Sequence, residues 1–320
     1  MKKIILFSGD PNSINTEILF KSWKKISKSL KKKIYLISNY NLILDQSKKL
    51  NFSFKISKAK NINDKKNEFS LKILDVSLNY KNPFDVNFKD SSKFVNKSLD
   101  LAHKLSLDKN VLGLINCPID KKLLLKKNIG VTELLSKKCN VRNNSEVMLI
   151  RNKKFAVSPI TTHINIKNVS KNLKSKIIIS KILTIHKFYR KFFKKIPKIG
   201  ILGLNPHNAE MQINSEEKKI IIPSIRTLKK RGINLIGPLV SDTLFIEDFK
   251  KFDVIVGMYH DQVLTPFKTI FKFDAINITL GLKYLRVSPD HGVAKKLIFK
   301  NKANPKSLIE CINFINKFGK

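Results

Sequence analysis

Short apolar runs recur along the chain with longer mixed stretches between them. Residues 4–7, 34–37, 111–115, 147–150, 199–204, 254–256 and 275–279 are almost wholly apolar. Several of these runs read as strands buried on both faces, and their alternation with helical stretches predicts a mostly parallel α/β sheet. The clearest helix covers 173–193. There Ile178, Ile182, Ile185, Tyr189 and Phe192 step along one face, while Lys181, Lys187, Lys191 and Lys194 fall largely outside that stripe. Another helix is expected to open near Asn214-Ser215, with Glu216 and Glu217 in its first turn complementing the dipole, and to close at Lys229-Lys-Arg-Gly232. Pro223 should start or kink part of it. Near the C-terminus, Asn304-Pro305 reads as a cap followed by a first-turn proline, with Leu308, Ile312 and Ile315 as the buried stripe. Residues 44–93 crowd Lys, Asn and Ser together without a clear period, so loops and edge strands are expected there.

Composition narrows the class. A chain of 320 residues, 42% hydrophobic and 27% charged, is that of a globular protein with room for one large or two ordinary domains. Its apolar runs are broken well before the roughly 18–20 residues that cross a bilayer, so no membrane span or membrane partner is expected. The start, Met1-Lys-Lys-Ile-Ile-Leu-Phe7, has a basic beginning, but its apolar part stops at Ser8-Gly-Asp10, too soon for a signal peptide. Cys117, Cys139 and Cys311 lie far apart and cannot pair evenly, which argues for a reducing compartment, the cytoplasm.

The formal charge of +39, from 63 Lys+Arg against 24 Asp+Glu, would attract nucleic acid or an anionic surface. Only Arg142, Arg151, Arg190, Arg226, Arg231 and Arg286 are arginines, however, and dedicated phosphate and base readers lean on arginine. Lysine is abundant together with Asn, Ile and Phe, the residues of A/T-rich codons, so genome composition accounts for the excess. No specific nucleic-acid partner is expected. The basic-aromatic run 187–195 is explained by a core face and a solvated face of one helix.

Three histidines share a context. His163, His207 and His260 each follow an expected strand at its carboxyl end, the edge where open α/β sheets place ligands. Converging there, three imidazoles would suit Zn²⁺, Co²⁺ or a similar ion with positions left open for substrate oxygens. The alternative is three ordinary turn histidines bonded to backbone. Beyond His260, Lys268, Asn277 and Arg286 offer two cations and an amide, the donors a phosphate ester needs. Arg286 is the most informative of these because arginine is scarce; its alternative is a structural ion pair, with Asp290 as a partner.

Five motifs then stand in order: Gly203-Leu-Asn-Pro-His207, Gly237-Pro-Leu-Val-Ser-Asp-Thr-Leu-Phe245, Met258-Tyr-His-Asp-Gln262, Asn277-Ile-Thr-Leu-Gly-Leu282 and Asp290-His-Gly292. In order and spacing the chain resembles the 4-hydroxythreonine-4-phosphate dehydrogenase family of pyridoxal phosphate biosynthesis, from Gly9-Asp-Pro11 to the last helix. The resemblance implies an NAD- or NADP-dependent, divalent-metal-dependent oxidation of 4-phosphooxy-L-threonine, followed by decarboxylation to 3-amino-2-oxopropyl phosphate. It also implies two α/β/α domains with a central cleft, similar to the isocitrate and isopropylmalate dehydrogenases, in a homodimer whose active site is completed by the second subunit. The expected domains are 1–130 plus 283–320, and 131–282. By resemblance His163, His207 and His260 are the metal ligands, the ion being Zn, Mg or Co. Thr132, Lys268, Asn277 and Arg286 match substrate-binding positions, and His291, Gly292 and Asn304 match cofactor contacts. Asp242 and Asp261 are the motif carboxylates available as the catalytic base, or as orienters of a metal-bound histidine. This fold does not use the Rossmann glycine fingerprint, so the absence of GxGxxG does not count against a nicotinamide cofactor.

Three departures bear on the substrate. The first loop, Gly9-Asp-Pro-Asn-Ser-Ile-Asn-Thr-Glu17, lacks the glycines the family carries after Gly-Asp-Pro, and a backbone needing glycine dihedrals would be altered. The family's Gly-His-Thr-Glu reads Gly130-Val-Thr-Glu133, and Val131 cannot donate a hydrogen bond. Asn116-Cys-Pro118 stands in place of Thr-Gly-Pro, with Lys121 retained. These changes allow a paralogue acting on another phosphorylated hydroxy acid, such as a threonate or erythronate. A nucleic-acid-binding protein on an inherited enzyme scaffold is the reading from a different class.

Overall fold

A computed structural model describes residues 1–64, 69–124, 130–141, 144–246, 248–272 and 274–319; residues 65–68 of the stretch 44–93 lie outside it. Its strands, in chain order, are β1 Lys3–Phe7, β2 Ile34–Ser38, β3 Ile56–Lys58, β4 Leu71–Asp75, β5 Val111–Asn116, β6 Val147–Arg151, β7 Ala156–Pro159, β8 Ile199–Leu202, β9 Leu235–Leu239, β10 Val254–Gly257, β11 Ile276–Leu280 and β12 Arg286–Pro289. The longer helices are α1 Asn15–Lys25, α2 Tyr40–Lys49, α3 Phe88–Ser106, α4 Val131–Lys138, α5 Ser175–Phe188, α6 Ile222–Lys230, α7 His260–Phe271 and α8 Lys306–Phe318. Each of the seven apolar runs is a strand. The chain divides into two compact units, Met1–Val131 with Lys283–Lys320, and Thr132–Leu282.

In the first unit the strand order is β3-β4-β2-β1-β5-β12, with every pairing parallel. Every residue of β1 and β2 is buried, as expected where helices cover both faces. Helix α3 packs on β1 and β5 through Phe94, Val95, Leu99 and Ala102, and its entry is fixed by the Asn87 side chain accepting from Asp90 N at 2.9 Å. Helix α8 buries Leu308, Ile312 and Ile315 as expected, and adds Cys311 and Phe314. The stretch 44–93 is more ordered than its composition suggests. β4 is an interior strand, and the lysine that breaks its apolar run, Lys72, is buried with Nζ 4.5 Å from the centre of the Tyr35 ring and 3.1 Å from Lys32 O.

In the second unit the order is β11-β6-β7-β10-β8-β9. β7, β10, β8 and β9 run parallel, and β6 is antiparallel to both β7 and β11. One core cluster of Ile150, Phe155, Val157, Leu202, Ile255, Val263 and Phe267 lies beneath the strand ends discussed below. The helix expected over 173–193 is α-helical over Ser175–Phe188 and continues as a wider π-helical turn, Tyr189–Phe193. Lys181, placed on the solvated face by its period, is buried instead. Its Nζ donates to Glu146 O at 2.5 Å, and burial pushes its pKa down. Among the described residues no helix is long and apolar enough to cross a membrane.

Candidate active site

The three histidines leave adjacent strands. β7, β10 and β8 are neighbours in the parallel part of the second unit, and His163, His260 and His207 follow their respective carboxyl ends. His260 opens α7 directly after β10. The rings of His163 and His260 stand 5.9 Å apart, centre to centre. Each ring has its Nδ1 against a carboxylate: His163 Nδ1 lies 3.3 Å from Glu133 Oε1, and His260 Nδ1 lies 2.7 Å from Asp261 Oδ1. Glu133 Oε1 also accepts from Thr162 Oγ1 at 3.2 Å. Burial alone would raise the Glu133 carboxyl, but the His163 contact, its helix N-terminal amide and the Thr162 hydroxyl outweigh it and hold the group at about 2.

His207 follows the end of β8 in a turn of its own. Among the described residues no three His, Cys, Asp or Glu side chains are gathered closely enough to hold a metal ion. His207, Asn208, Ala209 and Glu210 have φ between 46° and 58°, and Met211 follows at 60°, so the chain reverses its hand at the histidine. Each non-glycine residue in that region costs roughly 1–2 kcal/mol. The exposed His207 ring is therefore set by a left-handed turn and not by the end of β8.

The root of that turn is anchored. Glu217, fully buried, accepts from Leu204 N at 2.7 Å and Asn205 N at 2.9 Å through Oε1, and from Asn205 Nδ2 at 3.0 Å through Oε2. Glu216 Oε2 takes the same amide at 2.9 Å. These glutamates, expected to serve the helix dipole, instead reach back to the loop; Glu217 opens a π-helical turn, Glu217–Ile221, that precedes α6 and its first-turn Pro223. Burial opposes ionisation of Glu217, yet the amide donors win and its pKa lies below the usual carboxylate range. Its stabilising contribution is therefore full above that range and fades as the pH falls through the folded value. Glu217→Gln should destabilise the protein by about 2–3 kcal/mol at neutral pH, with the gap to wild type narrowing below about pH 4. Urea titrations across pH measure this, and a gap that does not change with pH would count against an ionised Glu217.

The residues matched to substrate divide between the units. In the second, Thr132 Oγ1 lies 3.1 Å from Thr279 Oγ1, and Asn277 shares that face of β11 two residues earlier. Among the described residues Asn277 Oδ1 is buried without a hydrogen-bond partner, an arrangement that calls for a donor from elsewhere. Lys268 is half-buried, two turns along α7 from His260. Val131 begins α4 beside Thr132. Asp242 is exposed in the short turn Ser241–Leu244, where its Oδ1 accepts from Thr243 N at 2.9 Å.

In the first unit, Arg286 is buried on β12 and its Nε donates to Asn116 Oδ1 on β5 at 2.6 Å. The unusual Asn116 thus holds the guanidinium. His291 Nδ1 lies 2.9 Å from Gly292 O, and among the described residues nothing stands within 4 Å of where a Cβ on the exposed Gly292 would be. Asn304 Oδ1 accepts from Lys306 N at 2.9 Å and closes the start of α8. This loop is strapped to α1: Ala303 N donates to Glu17 Oε1 at 2.9 Å and Lys21 Nζ to Asn301 O at 2.8 Å.

The glycine-poor first loop also finds its explanation. Within residues 8–17 only Gly9 has positive φ. Side chains tie the rest: Ser13 Oγ donates to Asp10 O at 2.6 Å, Asn15 Nδ2 to Ser8 O at 2.9 Å and Pro118 O at 2.8 Å, and Asn12 Nδ2 to Val86 O at 2.7 Å. Asp10 sits buried among them, its pKa raised by that burial.

The family model for pyridoxal phosphate biosynthetic protein PdxA matches residues 29–315. The chain belongs to the PdxA family. It is 38% identical over 324 residues, covering 98% of this chain and 97% of the relative, to a 4-hydroxythreonine-4-phosphate dehydrogenase from Sulfurihydrogenibium sp.. Its fold is similar to the crystal structure of the 4-hydroxythreonine-4-phosphate dehydrogenase of Klebsiella pneumoniae, with a TM-score of 0.84 at 25% identity over 100% of both chains. Isocitrate dehydrogenase from Methylococcus capsulatus shares the fold alone, with a TM-score of 0.50 at 11% identity over 98% of this chain and 85% of that one. The PdxA-family chain is thus an oxidoreductase, and the sequence resemblance holds at the level of family and fold.

Proposed function

We propose that this chain oxidises the 3-hydroxyl of 4-phosphooxy-L-threonine with NAD or NADP, giving 2-amino-3-oxo-4-(phosphooxy)butanoate, which loses CO₂ to form 3-amino-2-oxopropyl phosphate. The observation that carries this reading is the His163–His260 pair, each ring backed by a carboxylate, at the ends of adjacent parallel strands of a PdxA-family fold. Such a donor set fits a divalent ion, Zn, Mg or Co, with His207 as the third ligand. When bound, the ion supplies Lewis acidity that makes the alcohol more acidic and stabilises the charge that develops as CO₂ leaves.

The protein's own groups do the rest. Asp261 holds Nδ1 of His260, which leaves Asp242 as the motif carboxylate that takes the hydroxyl proton while the hydride passes to the nicotinamide. Lys268, Asn277 and Arg286 bind the phosphate ester and its neighbouring polar groups, and Thr132 completes the contact set. His291, Gly292 and Asn304 contact the adenosine end of the cofactor. The protein works as a homodimer, its site completed by the second subunit, on a small phosphorylated substrate in the cytoplasm.

The test is NAD(P)H formation by the purified protein from 4-phosphooxy-threonine with and without added divalent ion. Metal-dependent turnover is the expected result. Turnover confined to phosphorylated threonate or erythronate would move the substrate to a paralogous one, and no turnover with any of these would end the reading.

A further inference from the structure

We infer that Glu133 is a positioning residue for the imidazole pair: it fixes His163 as the Nδ1–H tautomer, so that Nε2 is the ring's donor atom. The proposal rests on the metal-site reading only for its consequence, because the tautomer is a property of the chain itself. Glu133 stands 30 positions away from His163, in the first turn of α4, yet its Oε1 meets His163 Nδ1 at 3.3 Å and Thr162 Oγ1 at 3.2 Å. An ionised carboxylate only accepts hydrogen bonds, so a neutral ring facing it must place its proton on Nδ1. The same logic applies to His260 on Asp261, and the two rings share one neighbourhood at 5.9 Å. Both thereby present the same nitrogen, Nε2, away from their carboxylates.

The arrangement is more than an ion pair between two surface groups. Among the described residues Glu133 Oε2 is buried without a hydrogen-bond partner, while Oε1 is committed to the Thr162-His163 segment. Glu133 also follows Thr132 directly, and Thr132 Oγ1 touches Thr279 on β11. One helical turn therefore carries both a residue matched to substrate and the group that sets the ring.

Nitrogen-15 NMR of the imidazoles in the metal-free protein reads the tautomer, with His163 assigned by the loss of its signals in His163→Gln. Wild type should show His163 as Nδ1–H. Glu133→Ala should shift it towards the Nε2–H form that an unrestrained imidazole prefers, while Glu133→Gln, whose amide oxygen still accepts, should keep the wild-type form. Where the alanine variant does not fold, Glu133→Ser, too short to reach the ring but able to sit in a first helical turn, replaces it. Co²⁺ titration should then show affinity falling about 10–100-fold in Glu133→Ala and within about threefold of wild type in Glu133→Gln. An unchanged His163 tautomer in Glu133→Ala or Glu133→Ser overturns the proposal. A wild-type protein that binds no Co²⁺ overturns the metal reading instead, and the tautomer measurement still decides the role of Glu133.

Discussion

Alanine at position 260 is expected to lower the metal-dependent oxidation rate roughly a thousandfold while leaving the fold nearly unchanged. The two effects separate because of where His260 sits. Its side chain is 35% exposed at the first position of α7, so truncation removes little buried surface, and Asp261, 78% exposed, simply becomes hydrated when the ring is gone. The chemical loss is much larger. In the proposed reaction the ring is one of two imidazoles already paired for an ion whose Lewis acidity is worth several kcal/mol, and about 4 kcal/mol of transition-state stabilisation corresponds to roughly a thousandfold in rate. Measuring kcat together with Tm checks both halves. His186→Ala, on α5 and outside the site, is the control and should keep the rate. A His260→Ala enzyme retaining more than about a tenth of wild-type turnover would remove His260 from the machinery.

Which parts of this were legible in the chain follows from how far apart the interacting residues are. Strands such as β1 and β2 announce themselves because a parallel strand covered on both faces needs an unbroken apolar run. β4 escaped because Lys72 interrupts its run and reaches an aromatic face and a carbonyl that no local pattern reveals. At the site, His163 and His260 were visible as residues following strand ends. Their surroundings were not, since Glu133 acts across 30 positions and Glu217 across 12. Glu217 resembled an ordinary first-turn acid, and only the fold shows it turned back onto Leu204 and Asn205. The left-handed turn His207-Asn-Ala-Glu-Met211 contains no glycine to signal it. The first loop was legible only in part. Missing glycines predict a backbone that does without glycine dihedrals, and here only Gly9 has a positive φ; that asparagine and serine side chains tie the remainder shows only in the fold.

That single glycine gives the largest expected effect on stability. Gly9 joins β1 to the loop before α1 at φ +80°, and a Cβ there would stand 2.4 Å from Pro118 O, 2.9 Å from Cys117 O and 2.6 Å from Asn15 Nδ2. None of these neighbours can yield cheaply. Two are backbone oxygens after β5, and Pro118 O also accepts from Asp10 N at 3.0 Å and from Asn15 Nδ2 at 2.8 Å. Gly9→Ala therefore combines the left-handed penalty of roughly 1–2 kcal/mol with the loss of one or two buried hydrogen bonds at about 1–1.5 kcal/mol each, on the order of 3–5 kcal/mol in all. Two other glycines separate these contributions. Gly232, at φ +75° with nothing among the described residues within 4 Å, should show only the dihedral cost of roughly 1–2 kcal/mol as Gly232→Ala. Gly292, equally open and without a positive φ, should change stability by less than about 0.5 kcal/mol as Gly292→Ala. Urea denaturation of the three variants gives the series directly. If Gly9→Ala proved no worse than Gly232→Ala, the loops following β1 and β5 would not meet as closely as their hydrogen bonds require.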